Sequence, residues 1–390
     1  MIITTILVGL IIILILWRWI QSKPPVFGKV TPESQWSTLI NTMIYKLPPI
    51  VPTWCRVYAI GVVDTIATVL WRRTVKANTM GHLLKMYGKQ QQEPDRLCII
   101  TGGDSGIGLE IARGLLQDGL RVVIASRTTE FMQQAKAQLG DKNVEYLIVD
   151  LTSFKSIQQF VEQVKTKIPK GGIDILINNA GIMNTPCHIT EDGFEAQFQT
   201  NCISPFYLSL LLLPWLNKKQ GRILFAASST LYAASPELDV SLAKKHYGWD
   251  GLTHYAHSKL FISMLTRYLG HQLRDQVDNE IQVFCYHPGA VRTKLFSHTT
   301  VFTLPIFSYL FDFIMLTPSE GAMTPLYLCL ASNLPKQGTI GNYWSSTVIQ
   351  PFPQCEEEDD QNQKNVKKAW KSALDFCGLT IPQAEALIHE

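Results

Sequence analysis

Two apolar stretches open the chain, and a different rhythm follows them. Residues 2–17 carry no charged side chain, and residues 47–71 carry only Arg56 and Asp64 before Arg72 and Arg73 end the stretch. From Leu97 onward, short apolar runs at 97–101, 122–126, 144–150, 173–178, 222–227 and 281–286 are separated by stretches with helical periodicity. Runs of that length without polar alternation suit strands buried on both faces, and the helices between them suit right-handed crossovers. The pattern predicts an α/β fold with a doubly wound parallel sheet. No repeat of 20 to 50 residues interrupts it.

The first stretch reads as a membrane anchor. It ends in Trp17, Arg18 and Trp19, an aromatic pair around a cation of the kind that sits at a bilayer interface. No cation precedes the run and no small-residue cleavage site follows it, as a signal peptide would need. Arg18, Lys23 and Lys29 all follow it, so the rest of the chain is expected on the cytosolic side. The expected organisation is an anchor over 1–20, a linker over 21–94 and a catalytic domain over 95–390. The charges within 47–71 leave a helix that lies in the interface or packs on the catalytic domain, with a second crossing as the alternative.

Composition narrows the class. The 390 residues are 46% hydrophobic and 17% charged with a net charge of +3, enough for a large core and too evenly spread to indicate nucleic acid. Eight cysteines occur without C-x-x-C spacing, so neither a disulfide framework nor a metal site is expected.

The chemistry begins after the first apolar run. Thr101, Gly102, Gly103, Asp104, Ser105, Gly106, Ile107 and Gly108 form a glycine-rich turn between a strand and a helix, where backbone can approach a pyrophosphate at the helix N-terminus. The fold is therefore expected to be Rossmann-like. The second run ends in Ala125, Ser126 and Arg127. With no acid to bind a ribose diol and a cation to pair with a 2′-phosphate, NADP(H) is the expected cofactor. Asp150 and Leu151 close the third run near the expected adenine, and Asn179, Ala180 and Gly181 follow the fourth beside the cofactor path.

Tyr255 and Lys259 stand four residues apart, on one helix face, so the ammonium can stand beside the phenol and lower its pKa. A phenol so tuned could exchange a proton with a substrate oxygen while hydride moves at carbon. Ser228 and Ser229 close the fifth run and can bring a hydroxyl to the same oxygen. Alternation along a strand lets only one of them face it. His254 and His257 flank Tyr255 but point off its face.

Together these motifs, from about residue 96 to 378, resemble the short-chain dehydrogenases/reductases, in particular the retinol dehydrogenase-like membrane reductases and the polyprenol and dolichol-pathway oxidoreductases. The resemblance implies an oxidoreductase with a tetrad of Asn201, Ser229, Tyr255 and Lys259. Tyr255 would be the acid/base, Ser229 would polarise the carbonyl, Lys259 would bind ribose, and Asn201 would hold a relay water. Pro288, Gly289, Val291 and Thr293 resemble the segment that closes over the nicotinamide, although Cys202 to Pro205 depart from the family's glycine-containing turn after Asn201. Thr190 to Glu195, a strand with Gly341 to Trp344, and Ala369 with Trp370 are further points of resemblance.

Substrate class rests on the variable lobes. Residues 231–252 bring Tyr232, Tyr247 and Trp249, and residues 301–315 are almost wholly apolar. The latter are either core or a greasy mouth at a bilayer. The mouth would admit a lipophilic alcohol, aldehyde or ketone, retinoid-like or another lipid aldehyde, with membrane lipids as surroundings at the endoplasmic reticulum or a lipid droplet. The rival readings are a steroid or polyprenol dehydrogenase and a non-catalytic NADP-binding protein of the same fold.

Overall fold

The computed structural model describes residues 32–48, 50–74, 79–88, 96–235, 239–246, 250–276, 278–299, 314–332, 334, 343–350 and 360–390. The anchor stretch at 1–20, most of 301–315, and Tyr247, Trp249, Gly341 and Asn342 lie outside the described residues.

The strands are β1 (Leu97–Thr101), β2 (Arg121–Ser126), β3 (Val144–Ile148), β4 (Ile175–Asn178), β5 (Arg222–Ala226), β6 (Gln282–His287), β7 (Tyr343–Ser345) and β8 (Val348–Gln350). They form one sheet in the order β3-β2-β1-β4-β5-β6-β7-β8, parallel from β3 to β7 and closed by an antiparallel β7–β8 pair. Chain order reverses between β1 and β4. In a sheet of this kind that switch point, at the carboxyl ends of the strands, opens the ligand crevice.

Side-chain alternation explains why each strand is a continuous apolar run. Ile99, Leu176, Ile223 and Cys285 enter the core on one face, while Cys98, Ile100, Ile177, Leu224 and Phe284 enter the core on the other. Both faces are covered, so polar side chains on the central strands are confined to the strand ends, as at Thr101, Asn178 and Arg222. On the second face, the helix Gly106–Gln117 contributes Ile111 and Leu115, and the helix Met323–Leu330 contributes Leu326. On the first face lies the 24-residue helix Gly251–Arg274, which carries Tyr255 and Lys259.

Among the described residues, three helices precede the sheet: α1 (Pro32–Tyr45), α2 (Thr53–Thr74) and α3 (Thr79–Tyr87). The apolar stretch at 47–71 is the α1–α2 turn and most of α2, and it packs on the catalytic core. Val57 and Ile60 of α2 join Ile44 and Tyr45 of α1 in the first-face core. Buried Arg56 turns inward and donates to the carbonyls of Leu47, Pro48 and Val51 at 3.1, 2.7 and 3.1 Å, closing the turn between the helices. The Thr38 hydroxyl of α1 donates to the Gln350 side chain of β8, tying α1 to the outer edge of the sheet. Among the described residues, no helix is long and apolar enough to cross a membrane.

Candidate active site

The glycine turn after β1 takes its shape from close packing. Gly102 and Gly106 have φ of +64° and +54°. A Cβ at Gly108 would fall 2.1 Å from the Gly102 carbonyl oxygen and 2.5 Å from Asn179 Nδ2. Only glycine lets the first helical turn fold back on the loop so tightly. Thr101 and Asn179 lock it. Thr101 Oγ1 accepts from the backbone N–H groups of Asn179 and Ala180 at 3.1 and 3.2 Å. Asn179 Nδ2 donates to the carbonyls of Thr101 and Gly102, and the Tyr286 hydroxyl donates to Asn179 Oδ1 at 3.1 Å. In the sequence Tyr286 reads only as a strand residue and Thr101 only as the first residue of the glycine-rich turn, so the locking role of neither is legible there.

Around this cradle stand the other expected cofactor residues. Asp104 is half-buried, and exposed Ser105 stands at the N-cap position, without a side-chain capping bond, of the helix that Gly106, Ile107 and Gly108 begin. Ser126 ends β2 with its Oγ buried and without a partner among the described residues, and Arg127 beside it is exposed. Asp150 accepts from the Thr152 N–H and hydroxyl, while buried Leu151 gives its carbonyl to the Ser204 hydroxyl. Thr293 caps a short 3-10 turn, within ordinary contact distance of a Cβ placed on Gly106. Pro288 leads into Gly289, whose φ is +87°, and buried Val291 bridges to Leu316. A compact glycine cradle at a helix N-terminus, an unpartnered buried hydroxyl and an exposed cation fit an adenine dinucleotide along the switch point.

Asn201 sits in a π-helical turn, Gln199–Ile203, between the helical turn Ala196–Phe198 and the helix Ser204–Leu212. Pro205 has no N–H to bond the Asn201 carbonyl as an α-helix would, so the chain departs from α geometry where this side chain is needed. Asn201 Oδ1 accepts from the Ile182 N–H and Nδ2 donates to the Ile182 carbonyl, each at 2.9 Å. Gly181, just before Ile182, lies close to two of the tetrad side chains: a Cβ there would be 3.1 Å from Asn201 Oδ1 and 3.6 Å from Lys259 Nζ.

Lys259 is buried and donates from Nζ to the Ala226 carbonyl at 2.7 Å, with Nζ 5.6 Å from the Tyr255 ring centroid. Burial lowers the ammonium to about 8. Burial pushes the Tyr255 phenol the other way, up to about 12, against a lowering hydrogen bond from Ser228. The expectation that Lys259 pulls this phenol down is therefore outweighed here by desolvation.

The serine assignment is corrected. The hydroxyl bonded to Tyr255 belongs to Ser228, which continues the extended line of β5 at φ −160° and ψ 151°. Ser229, the serine the resemblance implied, opens the following 3-10 turn, Ser229–Ala233, and is buried there. The parity of β5 separates the two hydroxyls, and the break into the turn one residue earlier than expected decides which one faces the phenol.

The flanking groups are structural. Buried His257 accepts from the Ser235 N–H at 3.5 Å, and burial lowers its imidazole to about 4. Burial also lowers His254. Tyr232, read as part of a substrate lobe, is fully buried edge-on against Tyr343 at 6.1 Å.

Comparison with known proteins agrees with this arrangement. The short chain dehydrogenase family model matches residues 96–301. The chain is 30% identical to human polyprenol dehydrogenase over 83% of its own length and 95% of that protein. It is 32% identical to human retinol dehydrogenase 14 over 73% of its length and 87% of that protein. A crystal structure of an uncharacterized protein from Mycobacterium paratuberculosis superposes with a TM-score of 0.56 at 26% identity, covering 74% of this chain and 97% of that one. With the glycine cradle, the tyrosine-lysine helix and the asparagine turn all gathered at one switch point, the chain belongs to the short-chain dehydrogenase/reductase family and is an oxidoreductase of its retinol dehydrogenase-like kind.

Proposed function

We propose that this oxidoreductase uses NADP(H) to interconvert a lipophilic alcohol with its aldehyde or ketone at a membrane. The observation that carries the reading is the meeting of Ser228, Tyr255, Lys259 and Asn201 beside a glycine cradle whose β2 ends in exposed Arg127 and no acid. When bound, the dinucleotide supplies or accepts hydride at the substrate carbon. This chain's residues handle the oxygen. The Ser228 hydroxyl donates to it, and the Tyr255 phenol gives it a proton in reduction or takes one in oxidation. A phenol held near 12 is protonated at neutral pH and enters reduction ready to donate. Lys259, fixed by the Ala226 carbonyl, would bind a ribose hydroxyl of the dinucleotide, and Asn201 would anchor a relay water.

The membrane setting is supported by the apolar, uncharged run at 2–17 and the aromatic pair that ends it. In this reading the catalytic domain lies on the cytosolic side, at the endoplasmic reticulum or a lipid droplet. The two relatives named above are, by their names, dehydrogenases of polyprenol and of retinol. A polyprenol or steroid alcohol is the second reading, favoured by the near-complete coverage of polyprenol dehydrogenase. The test is turnover of the purified full chain in detergent. NADPH and NADH would each be paired with a retinoid aldehyde, a polyprenal, a ketosteroid and a small sugar aldehyde. Reduction of a lipid carbonyl with NADPH in preference to NADH is expected, and turnover confined to the sugar aldehyde or to NADH would overturn the reading.

A further inference from the structure

The α1–α2 hairpin has an inverted charge distribution. On a water-facing helix the cheap place for an ionised side chain is outward. Here both charges of the apolar stretch point inward: Arg56 onto three backbone carbonyls and Asp64 onto His287. The outer surface holds large apolar groups instead. Leu39 and Met43 stand one turn apart on α1 at 58% and 60% exposure, and Val62 and Ile66 stand one turn apart on α2 at 60% and 49%. Ile50, in the turn joining the helices, is 87% exposed. With Leu47 and Tyr58, both 40% exposed, the hairpin holds seven of the eleven large apolar side chains that stand exposed among the described residues. At the same end of the hairpin, Trp54 and Tyr58 form an edge-on ring pair at 6.4 Å, and exposed Lys46 follows α1.

We propose that the outer face of α1–α2 docks flat on a lipid bilayer and holds the side of the domain that carries Ser228 and Tyr255 close to it. An uncharged apolar face with aromatics and a lysine at its margin is the composition of a helix lying in the interface plane. Two further observations favour lipid over a protein occupant. The apolar run at 2–17, with its tryptophan pair, ends only fourteen residues before α1 starts, so a chain anchored by that run would reach the hairpin from the bilayer. No described helix is long and apolar enough to cross a membrane, which leaves an interfacial pose as the way this face would meet lipid. The inner face of α2 meanwhile packs on the 3-10 turn that follows Ser228 and on the helix carrying Tyr255. The docking face and the reacting residues are thus one helix thickness apart. Its use in substrate delivery rests on the lipophilic-alcohol reading above; the face itself does not.

The test places an environment-sensitive fluorophore on the full chain at Met43→Cys, Val62→Cys and, as a control, Ile148→Cys, an exposed apolar position on β3. Labelled parent chain sets the background from its own cysteines. In phosphatidylcholine vesicles with brominated acyl chains, emission at 43 and 62 is expected to fall by about half or more relative to plain vesicles, with 148 unchanged. Equal emission in both vesicles at 43 and 62 would overturn the proposal. So would label shielding that tracks a doubled particle mass, since a second copy would then cover the face. A second variant, Val62→Glu with Ile66→Glu, alters exposed positions only and should unfold at the parent temperature. It is expected to raise KM about tenfold for a lipid aldehyde held in vesicles and to leave KM for a short water-soluble aldehyde unchanged. Quenching without that KM shift supports the docking face and counts against the lipophilic-substrate reading alone.

Discussion

Asp64 and His287 meet side chain to side chain at 2.8 Å, although they lie 223 residues apart and Asp64 precedes the segment that the family model matches. Both are largely shielded, at 14% and 6% side-chain exposure, and the imidazole stacks on Tyr343 with ring centroids 6.5 Å apart. His287 ends β6 and leads directly into Pro288 and Gly289. The N-terminal helix is therefore bonded to the strand end that leads into the cofactor-side loop, and it is not a tether that could be trimmed without consequence.

The first prediction follows from that bond. Asp64→Ala leaves a buried imidazole nitrogen without its acceptor, which should cost about 1–3 kcal/mol of stability. Asp64→Asn keeps an acceptor oxygen and should cost less. Denaturant midpoints of the full-length variants give the comparison, and an alanine variant as stable as the parent would show the contact to be incidental.

The two serines can be separated by single substitutions. Ser228→Ala should lower kcat/KM by about 10²-fold or more, as loss of a group bonded to the reacting oxygen does, and Tyr255→Phe by about 10²–10⁴-fold. Ser229→Ala should stay within a few-fold, because its hydroxyl belongs to the 3-10 turn. A reversed order for the serines would restore the family-register assignment. Cofactor binding should survive all three changes.

Buried Lys259 gives a pH signature with a definite sign. Its ammonium is lowered by burial from 10.5 to about 8, so between those values the unfolded chain holds more protons than the folded one. Stability therefore gains from this group as pH rises from about 8 to about 10.5, and the cost of the buried charge is fully present below about 8. The shift corresponds to roughly 3 kcal/mol at most. Lys259→Met should be stabilised relative to the parent at pH 7, and that advantage should shrink as pH climbs through 9. Thermal unfolding of both proteins without cofactor, from pH 7 to 10, makes the comparison; a difference flat in pH would mean the amine is not desolvated.

What the sequence revealed and what it hid have the same physical origin. Strands buried on both faces, such as Ile175–Asn178 and Gln282–His287, leave continuous apolar runs, so six of them were visible within a few residues of their ends. The edge pair was less so. β8 is three residues long, and its turn places Ser346 and Thr347 at φ of +51° and +62° without a glycine to announce it. The glycine turn and the tyrosine-lysine pair were legible because their spacing is their mechanism. Which serine faces Tyr255 was not, since it depends on where β5 breaks into a 3-10 turn. Nor could composition show that Arg56 and Asp64 turn inward, because a charge in an apolar run looks the same whether it points to solvent or to three carbonyls.

The cofactor choice rests on Arg127, and its test isolates one charge. The residue is exposed just beyond β2, next to the buried Ser126 hydroxyl that has no partner among the described residues. A guanidinium there would meet a 2′-phosphate through charge-assisted hydrogen bonds, which contribute about 1.5–3 kcal/mol, or roughly tenfold to a hundredfold in Kd. NADH lacks that phosphate and gains nothing from the cation. Arg127→Ala should therefore weaken NADPH by that factor and leave NADH nearly unchanged, and Arg127→Lys should recover part of the loss as a point charge without the fork. Because the side chain is exposed, the substitution should not disturb folding, and titration of intrinsic fluorescence with each dinucleotide reads the difference directly. The contact should also weaken with added salt for NADPH more than for NADH, since a surface ion pair is screened and a ribose diol is not. Equal losses for both dinucleotides would make Arg127 a structural part of the β2 end and would leave NADP(H) without its proposed anchor.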